Sequence, residues 1–141
     1  MALKIDKKHF ELIKAYGEEC FPNECCGFLL GKHSEGDKEV VSSLPAYNAR
    51  EKDQQRHRFL ITPDVFLQNE KFAKQRGLDI VGFYHSHPNA EARPSEYDLQ
   101  HSWPWYSYII VSVLENRVDQ VTSWTLKDDR VQFEEENIIV I

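Results

Sequence analysis

Two histidines, His85 and His87, are the residues of this sequence best suited to metal chemistry. They end a short apolar segment that is typical of a buried strand, and residues two apart in a strand point to the same face. Their imidazoles can therefore converge on one point, while Ser86 between them faces away. Two neutral imidazoles at a strand end can hold a divalent metal ion. A His-x-His pair alone is more often structural or solvated, so this hypothesis needs a third ligand.

The segment after the strand supplies such a ligand. Seven residues, from Pro88 to Pro94, separate His87 from Ser95. Ser95 is a typical N-cap, and Asp98 follows three residues later in the first turn of the helix that Ser95 begins. A carboxylate there can face back toward the strand end. Two histidines and one carboxylate leave the fourth tetrahedral position of Zn²⁺ open for water, as in catalytic zinc sites.

The elements that must position these residues alternate between helices and strands. A helix is predicted from Lys7 to about Glu19, and Thr62-Pro63-Asp64 begins a second helix that Gly77 ends. Apolar runs predict strands at Cys25–Leu30, Glu39–Ser43, Asp79–His85, Tyr106–Val113 and Val118–Leu126, with shorter strands near Val131 and Ile138. The polar stretch from Pro45 to about Arg58 is predicted to be an exposed loop. The fold class is therefore predicted as α+β (mixed α/β), a single domain over residues 1–141 whose central, mostly antiparallel sheet is flanked by helices.

Composition excludes several classes of partner. Lys and Arg number 17 against 23 Asp and Glu, which gives a net charge of −6 with no basic run to follow a phosphate backbone, so nucleic acid is not an expected partner. No apolar stretch approaches the roughly 18 residues that span a bilayer, so no membrane partner is expected and the protein is predicted to be cytoplasmic. Three cysteines, two of them adjacent, suit reduced thiols better than a disulfide framework.

These residues together resemble a known family. His85-x-His87, seven residues, Ser95, two residues and Asp98 match the signature of the JAMM metallopeptidases, the metal-binding branch of the MPN domain family. Pro22-Asn23-Glu24-Cys25-Cys26-Gly27-Phe28-Leu29-Leu30-Gly31 is similar to the upstream block that carries the catalytic glutamate of that family. Val81-Gly82-Phe83-Tyr84 and Tyr108-Ile109-Ile110-Val111-Ser112-Val113 are also similar. The resemblance covers about Asn23 to Trp124, and the compact chain looks like a small bacterial-type member.

The resemblance implies a role for each residue. His85, His87 and Asp98 are expected to hold Zn²⁺, Glu24 to act as the general base, and the Ser95 hydroxyl to stabilise the oxyanion. Residue types alone would make Glu24 an exposed carboxylate at a strand end, because 61 positions separate it from His85 and no local spacing connects them.

The resemblance also implies a substrate class. Members of this family are expected to cleave an amide or isopeptide bond after the extended, Gly-rich C-terminal tail of a ubiquitin-like protein. For a small bacterial-type member that protein is expected to be a ubiquitin-fold sulfur carrier. An extended tail can pair with a free strand edge to reach the metal.

Other readings of the sequence stay open. A non-catalytic MPN-type scaffold would serve assembly only, and a thiol hydrolase could use Cys25 or Cys26. The aromatic residues Trp103, Trp105, Tyr106 and Tyr108 either cover the core or line a substrate groove. The loop from Pro45 to Arg58 is either solvated or a substrate contact.

Overall fold

The computed structural model describes residues 2–46 and 61–141, which form seven strands and three helices. The strands are β1 (Ala2–Ile5), β2 (Cys26–Ser34), β3 (Asp37–Ala46), β4 (Asp79–Pro88), β5 (Ser107–Leu114), β6 (Arg117–Leu126) and β7 (Phe133–Val140). The helices are α1 (Lys7–Cys20), α2 (Pro63–Gln75) and α3 (Glu96–Gln100). In this part of the chain, no helix is both long and apolar enough to cross a membrane.

The strands close into a barrel in the order β1-β3-β2-β4-β5-β6-β7. Closure depends on β1, which pairs in parallel with β3 on one side and with β7 on the other. Leu3, for example, is in register with Lys38 and with Ile138. The β4–β5 pair is also parallel, and the remaining pairs are antiparallel.

The predicted fold class, a central sheet flanked by helices, is therefore wrong. The described chain is mostly β, and its helices have only 14, 13 and 5 residues. The sequence did not predict β1, a strand of four residues at the N-terminus in which Leu3 and Ile5 are fully buried. So short a strand has no periodic signal of its own, and its two parallel partners lie far along the sequence.

The individual helix predictions are confirmed. Asp6 caps α1 by accepting a hydrogen bond from the Lys8 N–H, and Thr62 caps α2 by accepting one from Val65. Ile13 of α1 packs into one apolar cluster with strand residues such as Leu3 and Val111. A second cluster includes Cys26, Phe28 and Ala73, and the apolar stripe of α2, formed by Val65, Phe66 and Phe72, packs against it.

The strand predictions are confirmed with shifted ends. β3 continues to Ala46, beyond the predicted end at Ser43, because Ala46 still pairs with Cys26. A single strand, β7, replaces the two short ones predicted near Val131 and Ile138. The rest of the predicted loop, from residue 47, lies outside the described residues.

Candidate metal centre

β4 carries His85 and His87 at its C-terminal end, and their side chains share one face as the spacing predicts. The two imidazole Nε2 atoms lie 3.1 Å apart, and both residues are buried. β4 pairs with β2 on one side and β5 on the other, which fixes the position of the strand in the barrel. The backbone thus holds two nitrogen ligands in place without help from a loop.

Asp98 completes the group from the first turn of α3. Its Oδ1 lies 3.3 Å from His85 Nε2, and its Oδ2 lies 3.2 Å from His87 Nε2. A capping box orients the carboxylate, because the Ser95 N–H donates to Oδ2 at 2.8 Å while the Asp98 N–H donates to Ser95 Oγ at 3.1 Å. One ligand atom from each of the three residues lies within 4.8 Å of the others. The sequence-predicted metal ligands therefore come together.

The tautomer of His87 shows that this group fits a cation. Its Nδ1 lies 2.8 Å from the Glu91 carbonyl oxygen, which can only accept, so Nδ1 carries the hydrogen. Nε2 then turns its lone pair toward Asp98 Oδ2 and His85. Acceptors at 3.1–3.3 Å repel one another unless a shared proton or metal ion lies between them. A backbone carbonyl that accepts from the other ring nitrogen and fixes the ring in this way is typical of a metal-bound histidine.

The electrostatics of Asp98 favour its charged form. Burial by itself raises the pKa of this carboxyl group. The neighbouring His85 imidazole, the close contact with His87 and the hydrogen bond from the Ser95 N–H together outweigh burial and hold the Asp98 pKa well below its ordinary value. The carboxylate is therefore ionised at neutral pH and available as a ligand. Two nitrogens and one carboxylate oxygen are a donor set that divalent transition metals accept.

Glu24 lies beside this group although it is distant in sequence. Cys26 is in register with His85, and the Ser86 N–H donates to the Cys25 carbonyl at 3.1 Å. Continued by one residue, this antiparallel alignment sets Glu24 across from His87, on the same face. Glu24 is only 6% exposed, so the expectation from residue types of an exposed carboxylate is wrong.

Ser95 stands at the solvent edge of the site. It is exposed, and its oxygen accepts the Asp98 N–H as the N-cap of α3. That bond does not use the hydroxyl hydrogen, which remains available to donate. The N-cap role and a role toward a substrate oxygen are thus chemically compatible.

A cleft of about 640 Å³ opens beside the metal ligands. Its walls are mainly aromatic and aliphatic: Ile61, Thr62, Pro63, Phe66, Leu67, Phe83, His85, Tyr97, Asp98, His101, Ser102, Trp103, Trp105, Tyr106 and Tyr108. Trp103 and Trp105 stack at 6.4 Å between ring centroids and are 52% and 70% exposed, whereas Tyr108 is buried. The aromatic cluster therefore divides between the cleft wall and the core.

Sequence reasoning missed the part of the cleft that α2 contributes. Leu67 is 53% exposed and lines this cleft. The signal in the sequence was an apolar residue outside the stripe of Val65, Phe66 and Phe72, but its place in the same cleft as the tryptophans depends on how the helix packs.

The cysteines do not form a nucleophilic site. Cys25 and Cys26 are buried and all three cysteines are free thiols. Burial raises the pKa of Cys25 to about 12, although a hydrogen bond with Ser86 opposes the shift, and burial also raises the pKa of Cys26. Thiols of this kind stay protonated at neutral pH, which disfavours a thiol hydrolase.

Residues 6–127 match the family described as prokaryotic homologs of the JAB domain, and the chain belongs to this family. The resemblance to the JAMM branch of the MPN domains is confirmed by this match. A protein named desampylase from Haloferax volcanii is 34% identical over 92 residues, or 64% of this chain and 63% of that protein. A desampylase from Pyrococcus furiosus is 27% identical over 107 residues, 74% of this chain and 68% of its own length. The match thus spans less than two thirds of the Haloferax protein.

Two solved structures have the same fold along almost the whole chain. The solution structure of a protein from Desulfitobacterium hafniense has a TM-score of 0.85 and 30% identity, and the match covers 99% of this chain and 92% of that one. The solution structure of a protein from Salinibacter ruber has a TM-score of 0.76 and 37% identity, with coverage of 98% and 91%.

Proposed function

We propose that the chain is a zinc-dependent metallopeptidase of the JAMM type, which hydrolyses the amide or isopeptide bond after the C-terminal tail of a ubiquitin-like or sulfur-carrier protein. The observation that carries this proposal is the buried group of His85, His87 and Asp98, whose ligand atoms face one another at 3.1–3.3 Å. Membership of the JAB family and similarity to proteins named desampylase support the type of reaction.

The residues of the chain divide the chemistry among them. His85, His87 and Asp98 would hold Zn²⁺, which when bound lowers the pKa of a water molecule and polarises the scissile carbonyl. Glu24 takes a proton from the attacking water and returns it to the leaving amine. Ser95 donates its hydroxyl hydrogen to the carbonyl oxygen as negative charge develops there. The water oxygen bonds to the carbonyl carbon, the C–N bond breaks, and a carboxylate and an amine leave.

The placement of Glu24 supports its role as the base. Its carboxylate is buried on the same face of the barrel as the two histidines, and the β2–β4 alignment holds it one strand away from them. A base that takes a proton from the attacking water has to lie close to the residues that would hold the metal, and a neighbouring strand can place it there. The Asp98 carboxylate, whose pKa is depressed, remains a ligand and leaves the proton transfer to Glu24.

The barrel limits how a substrate tail can approach. β5 pairs with β4 from Gly82 to Pro88, whereas β2 pairs with β4 only as far as His85, so an extended tail can reach the metal ligands only past the end of the β2 ladder. The cleft of about 640 Å³ that Leu67, Trp103 and Trp105 help to line also includes His85 and Asp98 in its wall. We propose that the tail lies in this cleft, where its backbone crosses the metal ligands.

A hydrolysis assay tests the proposal directly. Purified protein is loaded with zinc and incubated with sulfur-carrier and ubiquitin-like proteins that extend by one residue beyond a Gly-Gly end, and the products are weighed by mass spectrometry. We expect trimming by the wild type and by Glu134→Gln, an exposed control, but a loss of about 10²–10⁴-fold in Glu24→Gln. Equal activity of wild type and Glu24→Gln would exclude the mechanism.

Metal analysis separates the enzyme from a non-catalytic scaffold. We expect one zinc per chain in the wild type and in His33→Ala, whose histidine is exposed and outside the site, and none in His87→Ala. A wild-type chain that binds no divalent metal would support the scaffold instead.

A further inference from the structure

Ser86 lies between the two histidines and points to the opposite face of β4, where it is completely buried. Its hydroxyl oxygen accepts a hydrogen bond of 2.8 Å from the Cys25 N–H, which lies 61 positions earlier in the chain. Cys25 is the residue immediately after Glu24. Ser86 therefore connects the segment that carries the histidines to the segment that carries the glutamate.

This contact replaces a regular rung of the sheet. In an antiparallel hydrogen-bonded pair, two opposite residues exchange both N–H···O=C bonds. Here the Ser86 N–H donates to the Cys25 carbonyl at 3.1 Å, but the Cys25 N–H donates to the Ser86 side chain rather than to its carbonyl. β2 begins only at Cys26, so the ladder ends at this point. Without the hydroxyl, the Cys25 N–H would be a buried donor that the ladder does not satisfy.

The bond acts on Glu24 through the peptide plane. The Cys25 N–H belongs to the same rigid peptide unit as the Glu24 carbonyl carbon and Cα. A hydrogen bond that fixes this N–H also fixes the plane from which the Glu24 side chain projects. The histidines do not depend on it, because the pairing of β4 with β5 continues through both His85 and His87.

We propose that Ser86 is a positioning residue that holds Glu24 against the metal centre, while it leaves the assembly of the metal ligands unaffected. The proposal rests on the proposed function, in which Glu24 is the general base. Ser86 itself touches neither substrate nor metal, because its side chain points to the other face of the strand.

Two substitutions test the hydroxyl while keeping the core filled. Ser86→Cys keeps the size of the side chain but replaces the oxygen by a weak acceptor, whereas Ser86→Thr keeps the oxygen. Gly17 of α1 faces Ser86 without a side chain of its own, and a Cβ added there would lie 3.8 Å from the Ser86 Cβ, so threonine at position 86 would point its methyl toward a neighbour that has no side chain.

We expect kcat of Ser86→Cys to fall about 10–100-fold with KM within about twofold of wild type, because a misplaced catalytic group slows the chemical step. Ser86→Thr is expected to keep kcat within about threefold. Zinc affinity, measured by competition with a chelator, is expected to stay within about threefold in both variants. In the Glu24→Gln background, Ser86→Cys is expected to cause no further loss, because the group that Ser86 positions is already gone.

Hydrogen exchange gives a readout that does not depend on activity. The Cys25 amide is expected to exchange at least about tenfold faster in Ser86→Cys than in wild type, while the amides of Leu29 and Ile110 keep their protection. The proposal would be overturned if the Cys25 amide exchanged at the same rate in Ser86→Cys as in the wild type, or if Ser86→Cys lost zinc affinity. It would also be overturned if Ser86→Cys reduced activity in the Glu24→Gln background by the same factor as in the wild type. A wild type without hydrolytic activity would refute the proposed function, whereas an active wild type matched by Ser86→Cys would refute only the role of Ser86.

Discussion

Zinc binding is expected to stabilise this fold, because the metal would join two elements that supply its three ligands. The size of this stabilisation can be calculated from the zinc affinity. His85 and His87 belong to β4, and Asp98 belongs to α3, a helix of only five residues. A ligand that binds only the folded state adds RT ln(1 + [Zn²⁺]/Kd) to the free energy of unfolding. Each tenfold rise in free zinc above Kd therefore adds about 1.4 kcal/mol.

This free energy converts into a shift of the melting temperature. The entropy of unfolding is about 2.1 cal/mol/K per residue, or about 0.3 kcal/mol/K for a chain of this length, so 1.4 kcal/mol corresponds to about 5 °C. Loss of an outer-shell partner weakens metal binding 10–100-fold. Asp98→Asn removes the charge of a direct ligand, so we expect at least the upper value, a deficit of about 2.8 kcal/mol or about 9 °C at equal free zinc.

The assay is a thermal melt at a series of buffered free zinc concentrations. We expect the wild type and Asp128→Asn, an exposed control, to follow the same line of about 5 °C per decade. Asp98→Asn is expected to follow a parallel line that begins at least two decades higher in zinc. The assignment of the ligands would be refuted if the melting temperature of the wild type did not respond to zinc. It would also be refuted if zinc raised the melting temperature of Asp98→Asn as much as that of the wild type.

Three further outcomes follow from the described contacts. The unfolded state loses the Cys25 proton above about pH 8.5, while the folded state keeps it up to a pKa of about 12. Cys25 thus contributes stability that is fully present below about pH 8.5 and is lost as the pH rises, by up to about 1.4 kcal/mol per pH unit. Between pH 8 and 11, the free energy of unfolding measured in urea is therefore expected to decline less in Cys25→Ala than in the wild type. Trp105→Ala is expected to raise KM severalfold, because Trp105 lines the cleft. The free energy of unfolding is expected to change by less than about 0.5 kcal/mol, because the side chain is 70% exposed. An unchanged KM would show that this part of the cleft does not bind the substrate. Gly82→Ala is expected to lower the free energy of unfolding, measured in urea, by at least about 3 kcal/mol. The added Cβ would lie 2.2 Å from the Ser107 carbonyl oxygen, a backbone atom that cannot move without separating β4 from β5. A variant as stable as the wild type would show that this contact can relax.

Much of the site follows from local sequence. The two-residue period of a strand brings His85 and His87 to one face, and the capping box of Ser95 and Asp98 turns a carboxylate toward them. These arrangements need only a few consecutive residues, so they could be predicted without knowledge of the fold. The stripe of α2 and the caps of both long helices are local in the same sense.

Glu24 shows where local reasoning ends. From residue types alone, Glu24 is predicted to be an exposed carboxylate, and only the resemblance to the JAMM family connects it to the histidines. Its burial depends on the register between β2 and β4, which pairs residues about 60 positions apart. Register of that kind is set by the packing of both strands in the barrel.

The sequence by itself predicted that His85, His87 and Asp98 come together as a possible metal site, because spacing within one strand and one helix turn fixes which side chains share a face. Only the tertiary structure decided that the sheet closes, that Glu24 is buried and that Leu67 lines the same cleft as the tryptophans. The physical reason is that these contacts join segments far apart in the chain. They form only when the whole barrel, including the four residues of β1, has buried its apolar side chains.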